Sequence, residues 1–213
     1  MGKNWIYIGA LLGLLAGCNP AKKTENKQVT RDTTTLVSPQ EKQEEHPLSK
    51  VITAFAQAYA LKDNAKANAL IHPDLGLYII YRPGAGDTFV QVDRLDFSKP
   101  VPSVYAYTDL TIADSLQYAS LPHFDCGTEK WDKVGFYCDT TTHPNQLSTI
   151  AAFEKEFEED KFSEDALINL EKAEKESYRV ILTANAPLIF HVRKYRGQWY
   201  VTALDRAYGG CDA

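Results

Sequence analysis

Sulfur and imidazole raise the first chemical question. His123, Cys126, Cys138 and His143 follow the pattern His-x2-Cys-x11-Cys-x4-His, and tetrahedral zinc accepts two thiolates with two imidazoles. The close Cys-x2-Cys pair that usually opens such a site is missing, so no metal is expected. Cys126 and Cys138 also flank a short loop, Gly127 to Tyr137. A bridge between them would staple a stretch with little regular structure, contributing about 3 kcal/mol in the chain-entropy model. Cys211, after Gly209-Gly210, is the alternative partner for either one. His191 lies on an alternating segment, where it can face a cavity together with Tyr178 or Tyr200. The spacings that set a nucleophile beside its base, or two ligands on one helix face, are absent: there is no Gly-x-Ser-x-Gly, no Ser-x-x-Lys and no His-Glu-x-x-His. Arg82-Pro-Gly-Ala-Gly-Asp87 lacks the Lys-Ser/Thr of a phosphate loop and reads as a turn after a strand. No cofactor is expected and no residue is assigned a catalytic role.

The compartment decides what the cysteines do, and the N-terminus speaks to it. Lys3 gives a positive n-region, Trp5 to Ala16 is an apolar run of about a dozen residues, and Leu15-Ala16-Gly17-Cys18 closes it with small residues before a cysteine. A membrane-crossing helix needs roughly 20 apolar residues, so the run reads as an export signal. The Leu-Ala-Gly-Cys tetrad resembles the lipobox of bacterial lipoproteins. That resemblance implies a diacylglycerol on the Cys18 sulfur, cleavage before Cys18 and acylation of the new amine. The chain would then be anchored in the cell membrane or the outer membrane, outside the cytoplasm. Each buried methylene adds about 0.8 kcal/mol, so two or three acyl chains hold far more firmly than one. Export also favours a disulfide over zinc. With Cys18 acylated, three cysteines remain, which allows one bridge and leaves one thiol over.

The chain therefore divides into residues 1–17, a leader; residues 18–47, the lipidated cysteine and a flexible tether; and residues 48–213, one globular domain. The tether is Lys, Thr, Glu, Gln, Asn and Asp with hardly an apolar residue, too little to offset the entropy of ordering it. Lys3 is the one charged residue of the leader, so the rest of the chain carries 22 basic and 28 acidic side chains, a net of −6. That balance excludes nucleic acid as a partner, since its phosphates ask for a basic stripe. The charges are also segregated. Glu154 to Glu176 holds ten acids against four lysines, whereas Tyr178 to Arg206 carries a net of +4. Solvated helix faces and a protected edge hairpin account for that pattern; complementarity with a partner is the sharper reading.

Periodicity supplies the elements. Leu48, Val51, Ile52, Phe55 and Tyr59 recur at helical spacing, predicting a helix from Pro47 to Lys62. A short helix is expected from Ala65 to Ile71, a strand from Gly76 to Arg82 and its neighbour from Phe89 to Val92. Val104 to Tyr107 reads as a short strand and Thr111 to Tyr118 as a short helix. Gln146 to Glu176 is helical with a break, and Ser163 is the N-cap of its second half. Three strands follow: Tyr178 to Ala184, Leu188 to Tyr195 and Gln198 to Asp205, the last two joined through Arg196-Gly197. Helices first and strands later give the α+β class: N-terminal helices on a curved, mainly antiparallel sheet, a helical insertion, and a C-terminal three-strand meander. In layout the domain resembles NTF2-like and cystatin-like domains, which implies a cone-shaped sheet and a pocket of the kind that Tyr178, His191 and Tyr200 would line. The expected function is a non-enzymatic binding or assembly module of the cell envelope, with an envelope protein as partner. The alternative is a small-ligand-binding or enzymatic domain using the conical pocket.

Overall fold

The α+β class is what the chain adopts. A computed structural model describes residues 47–183 and 187–207; Cys18, the tether and Cys211 lie outside them. Among the described residues two helices come first, α1 (Pro47–Ala60) and α2 (Asn64–Asn68). The strands are β1 (Leu77–Tyr81), β2 (Thr88–Val92), β3 (Leu116–Tyr118), β4 (Phe124–Asp125), β5 (Lys130–Trp131) and β6 (Phe136–Cys138). Helices α3 (Gln146–Phe157) and α4 (Glu164–Glu174) lead into β7 (Ser177–Leu182), β8 (Leu188–Tyr195) and β9 (Gln198–Asp205). Seven strands make one mixed sheet in the order β2-β1-β9-β8-β7-β6-β3, and β4 and β5 form a separate ribbon. The pairs β1–β9 and β3–β6 are parallel; the others are antiparallel.

Alternation along the strands shows that both faces of this sheet are covered. Leu77, Ile79, Val180, Leu182, Phe190, Val192 and Leu204 pack with Leu48, Ile52, Phe55 and Tyr59 of α1. The intervening Ile80 and Ala203 point to the other side, where they meet Leu147, Ile150 and Ala151 of α3 and Leu170 of α4. The first core is the larger. Phe55 is fully buried, 4.8 Å from the Phe190 ring centroid, and a side chain of that size contributes about 2–3 kcal/mol on burial. The helical insertion is thus the second cover of the sheet. Among the described residues no helix is long and apolar enough to cross a membrane.

Local chemistry explains the boundaries. Asp63 caps α2 by accepting from the Lys66 amide, and Ser163 caps α4 by accepting from Ala166 at 3.1 Å, as its position in the sequence suggests. Gly76 enters β1 with φ +63°, and a Cβ there would sit 2.9 Å from the Val92 carbonyl oxygen. Arg82 Nε donates to Asp87 Oδ1 at 2.6 Å and closes the β1–β2 turn. Arg196 and Gly197 both have positive φ, which suits the tight turn between β8 and β9.

Two expected elements differ. Thr111 to Tyr118 is not a helix: its last three residues form edge strand β3, paired with β6. Pairing with a neighbour outweighs the weak helical pattern of so short a segment. Val104 to Tyr107 is not a strand. Pro100 and Pro102 remove backbone donors on its approach, and its carbonyls are satisfied by a side chain instead. Arg206, just past β9, donates to the carbonyl oxygens of Val101, Tyr105 (2.6 Å) and Ala106 (2.8 Å). Its guanidinium lies 4.4 Å from the Tyr107 ring centroid. Three charge-assisted bonds and a cation–π contact make this arginine the clamp of the 95–110 loop. Arg206→Ala is expected to lower unfolding free energy by about 2 kcal/mol in urea titrations. Arg206→Lys should recover little of it, because an ammonium cannot reproduce the planar fork. An R206A variant as stable as the parent would contradict the clamp.

Candidate functional site

The second cover does not reach the whole sheet. Between the α3–α4 hairpin and the sheet lies a cavity of about 520 Å³, within the range of small-molecule sites. One face of α4 lines it with Ala166, Asn169, Leu170, Ala173 and Glu174, positions at i, i+3, i+4, i+7 and i+8 of a helix. Phe162, from the α3–α4 connection, leans on Phe89 of β2 with ring centroids 5.5 Å apart. His191 and Arg193 of β8 line the sheet side, together with Thr202 of β9. Thr202 is there because of a register shift: His191 pairs with Ala203 but Val192 pairs with Val201, so Thr202 is the extra residue of a bulge.

Glu174 holds the hairpin in place. Asn145, at the N-cap position of α3, makes no side-chain cap bond. Glu174 does that work from the end of α4: its carboxylate accepts from the Leu147 amide at 2.7 Å, the Ser148 amide at 3.1 Å and the Ser148 hydroxyl. An acid at a helix N-terminus meets unsatisfied amides and the positive end of the helix dipole. Burial nevertheless raises the Glu174 pKa above the ordinary value, with the bonds from Ser148 and Leu147 pulling the other way.

His191 borders the cavity but is almost wholly enclosed by its neighbours. The residue is 1% exposed, and its Nε2 has no hydrogen-bond partner. Burial first, and the nearby Arg179 charge second, push its pKa down to about 3, so the ring is neutral at physiological pH. Arg179, its cross-strand neighbour, is held by Asp205 at 2.7 Å, and Asp205 also accepts from Gln146 at 3.0 Å. Arg193 is paired with Glu176, also at 2.7 Å. That contact is one place where the acidic 154–176 stretch meets the basic strands.

Of the three residues expected in one pocket, the structure places His191 in this cavity and separates the others from it. Tyr178 pairs with Val192, and Arg179 with His191, so Tyr178 and His191 are on opposite faces. Tyr178 instead stacks with Trp199 (5.4 Å) and His143 (5.5 Å) beside a groove of about 350 Å³ that Leu48 and Tyr118 help to line. Tyr200 sits edge-on to His72 at 4.9 Å and does not line the cavity. The side of the sheet facing α1 is filled by the larger core, so the expected cone interior is packed and the cavity lies on the opposite face.

The cysteines also need correcting. Cys138 is a free thiol at 0% exposure, paired with Val180 inside the sheet and packed in the main core. Burial, with Asp139 nearby, pushes its pKa to about 12, which leaves it unreactive. Cys126 is exposed, just after β4. One sulfur faces the core and the other the surface, so the expected Cys126–Cys138 bridge does not form. The zinc pattern dissolves for a similar reason. His143 Nδ1 is 2.9 Å from the Ser177 carbonyl oxygen, and among the described residues no three His, Cys, Asp or Glu side chains converge on a metal position.

Sequence reasoning missed Phe89, Phe162, Glu174, Arg193 and Thr202. Their signals are faint: Glu174 is one acid among ten, and a bulge cannot be seen in an alternating pattern. No family model, curated protein or solved structure matches the chain. What the cavity can do must therefore follow from its own chemistry.

His191 also makes a prediction about pH. The unfolded chain takes up its proton near the ordinary value of 6.5 and the folded chain only near 3, so protons favour the unfolded state throughout that window. The stability this group contributes is full above 6.5 and declines as pH falls. Glu174, raised in the fold, acts in the opposite sense but equally in parent and variant. Between pH 7 and pH 5 the parent is expected to lose about 2 kcal/mol more than His191→Leu, measured by urea denaturation. Equal losses in the two proteins would place the ring in contact with water.

Proposed function

We propose that this protein is a lipoprotein of the bacterial cell envelope whose folded domain is a non-enzymatic binding module for a small ligand, held between the α3–α4 hairpin and the sheet. The observation that carries the binding role is the cavity itself: it is of ligand size and largely apolar, with Phe89, Leu147, Phe162 and Leu170 among its lining. Binding is favoured over catalysis by the state of the two titratable groups there. A general base works best with a pKa near the working pH, whereas His191 is held near 3. Both Glu174 oxygens are occupied in capping α3. The membrane anchor rests on Lys3, the apolar run and Leu15-Ala16-Gly17-Cys18.

The lipid anchor has a consequence for the other cysteines. Cys138 is a free thiol in the core and so is not a partner for Cys126. Acylation at Cys18 removes that sulfur as well, so Cys211 is the partner left for Cys126. The chain would carry one surface disulfide, one silent core thiol and one lipid anchor, each on its own cysteine.

Two measurements test this reading. Expressed in a bacterium with labelled palmitate, the protein is expected to be labelled and to fractionate with membranes, and Cys18→Ser to lose both properties; an unlabelled parent contradicts the anchor. An unreduced peptide map should join the peptides of Cys126 and Cys211. For the pocket, N-phenyl-1-naphthylamine fluorescence should saturate at one dye per chain, and Ala173→Phe, which fills the cavity from α4, should weaken binding by about tenfold or more. Dye uptake that never saturates, or that A173F leaves unchanged, would remove the ligand pocket.

A further inference from the structure

A separate groove lies on the face of the sheet that α1 covers, beside the stacked rings of His143, Tyr178 and Trp199. Strand register brings its members together. Tyr178 pairs with Val192, and Lys194 with Trp199. Alternate residues of a strand share a face, so Tyr178, Lys194 and Trp199 are neighbours on the side opposite His191. His143 comes from the connection between β6 and α3. Its Nδ1–H donates to the Ser177 carbonyl oxygen at 2.9 Å, and its ring lies within 14° of parallel to Tyr178. Tyr178 and Trp199 lie within 30° of parallel. Lys175 and Glu176, between α4 and β7, complete the lining of a groove of about 310 Å³. The charges here do not balance. Arg193 answers Glu176, its Nε and Nη2 donating to Glu176 Oε2 at 3.1 and 2.7 Å. Asp139, the one acid of the connection that carries His143, accepts from the Thr141 and Thr142 hydroxyls at 2.6 and 3.0 Å. Lys175 and Lys194 are exposed, and neither makes an ion pair with a described residue. The groove therefore joins two uncommitted positive charges to an aromatic side.

We infer that this groove binds a sugar phosphate, with the phosphate between Lys175 and Lys194 and the sugar ring against the aromatic side. Two ammonium groups match the charge of a phosphate monoester, about −2 near neutral pH. Lysine engages phosphate as a point charge, so two flexible side chains can close on it from either flank. The groove is more open to water than the cavity on the other face, so its occupant keeps one side hydrated. A sugar does this: its hydroxyls stay in water while its weakly positive C–H face meets the negative face of an aromatic ring. Tyrosine and tryptophan suit such half-wet positions, apolar at one end and polar at the other. The volume is enough for one ring with its phosphate. This site lies across the sheet from the ligand cavity and does not depend on it.

The test uses the chain from residue 18 onward with Cys18→Ser, so that acyl chains stay out of the assay. Glucose 1-phosphate, glucose and inorganic phosphate are titrated at pH 7.5 and low salt, and read by backbone amide shifts and the Trp199 indole resonance. Glucose 1-phosphate is expected to shift Lys175, Tyr178, Lys194 and Trp199, and to bind about tenfold more tightly than glucose or phosphate alone. Replacing both lysines, Lys175→Ala with Lys194→Ala, should weaken it by about tenfold or more, and raising salt to about 0.5 M should weaken it in the parent. Trp199→Leu should weaken glucose 1-phosphate and leave inorganic phosphate unchanged. Both lysines are exposed, so the double variant keeps the test decisive if W199L folds poorly. Inorganic phosphate that binds as tightly as glucose 1-phosphate overturns the sugar. Glucose 1-phosphate binding that survives K175A/K194A overturns the phosphate position. Absence of shifts at these four residues at about 20 mM glucose 1-phosphate overturns the site itself.

Discussion

Strand β8 is buried on both sides. Leu188, Ile189, Phe190, His191 and Val192 are all at or below 2% exposure, so neither face of the central sheet can be left to water. Helix α1 meets the first demand with a continuous apolar stripe. The second falls to the α3–α4 hairpin, which is polar over most of its surface and brings fewer apolar side chains. Its position depends on Glu174, whose carboxylate replaces the missing side-chain cap of α3. The cavity over His191 follows from that arrangement: a short hairpin, pinned at one end, covers part of a wide sheet.

The same arrangement explains the electrostatics. A histidine in the middle of a doubly covered strand cannot hold a proton, and its neighbour Arg179 reinforces this. Arg179 itself is tolerable because fully buried Asp205 answers it, and Asp205 in turn holds Gln146 at the start of α3. The Arg179–Asp205 pair lies within the sheet, and the bond from Gln146 to Asp205 ties it to the start of α3. Replacing Arg179 would leave the buried Asp205 carboxylate without its countercharge, which is more damaging than losing a surface pair.

The sequence was most legible where an element carries its own pattern. The three C-terminal strands declared themselves by alternation and by Arg196-Gly197, and Ser163 marked the start of α4. Short strands β3 to β6 did not, because two or three residues have no periodicity and owe their state to neighbours. The candidate pocket was half legible. His191 was identified, but grouping it with Tyr178 required the register of β7 against β8, and the length of a connecting loop does not fix which residues share a face. The Cys126–Cys138 pairing failed on the same point: spacing along the chain said they were close, whereas strand pairing turned one inward and left the other at the surface.

The central claim is that a small ligand enters between the hairpin and the sheet, on the face opposite α1. Backbone amide shifts of the protein titrated with N-phenyl-1-naphthylamine test its location directly. The expected shifts border the cavity from both layers, at Phe89, Leu147, Ala166, Ala173 and Thr202, with Tyr178 and Trp199 unmoved. Shifts centred on Tyr178 and Trp199, or none at saturating dye, would contradict it.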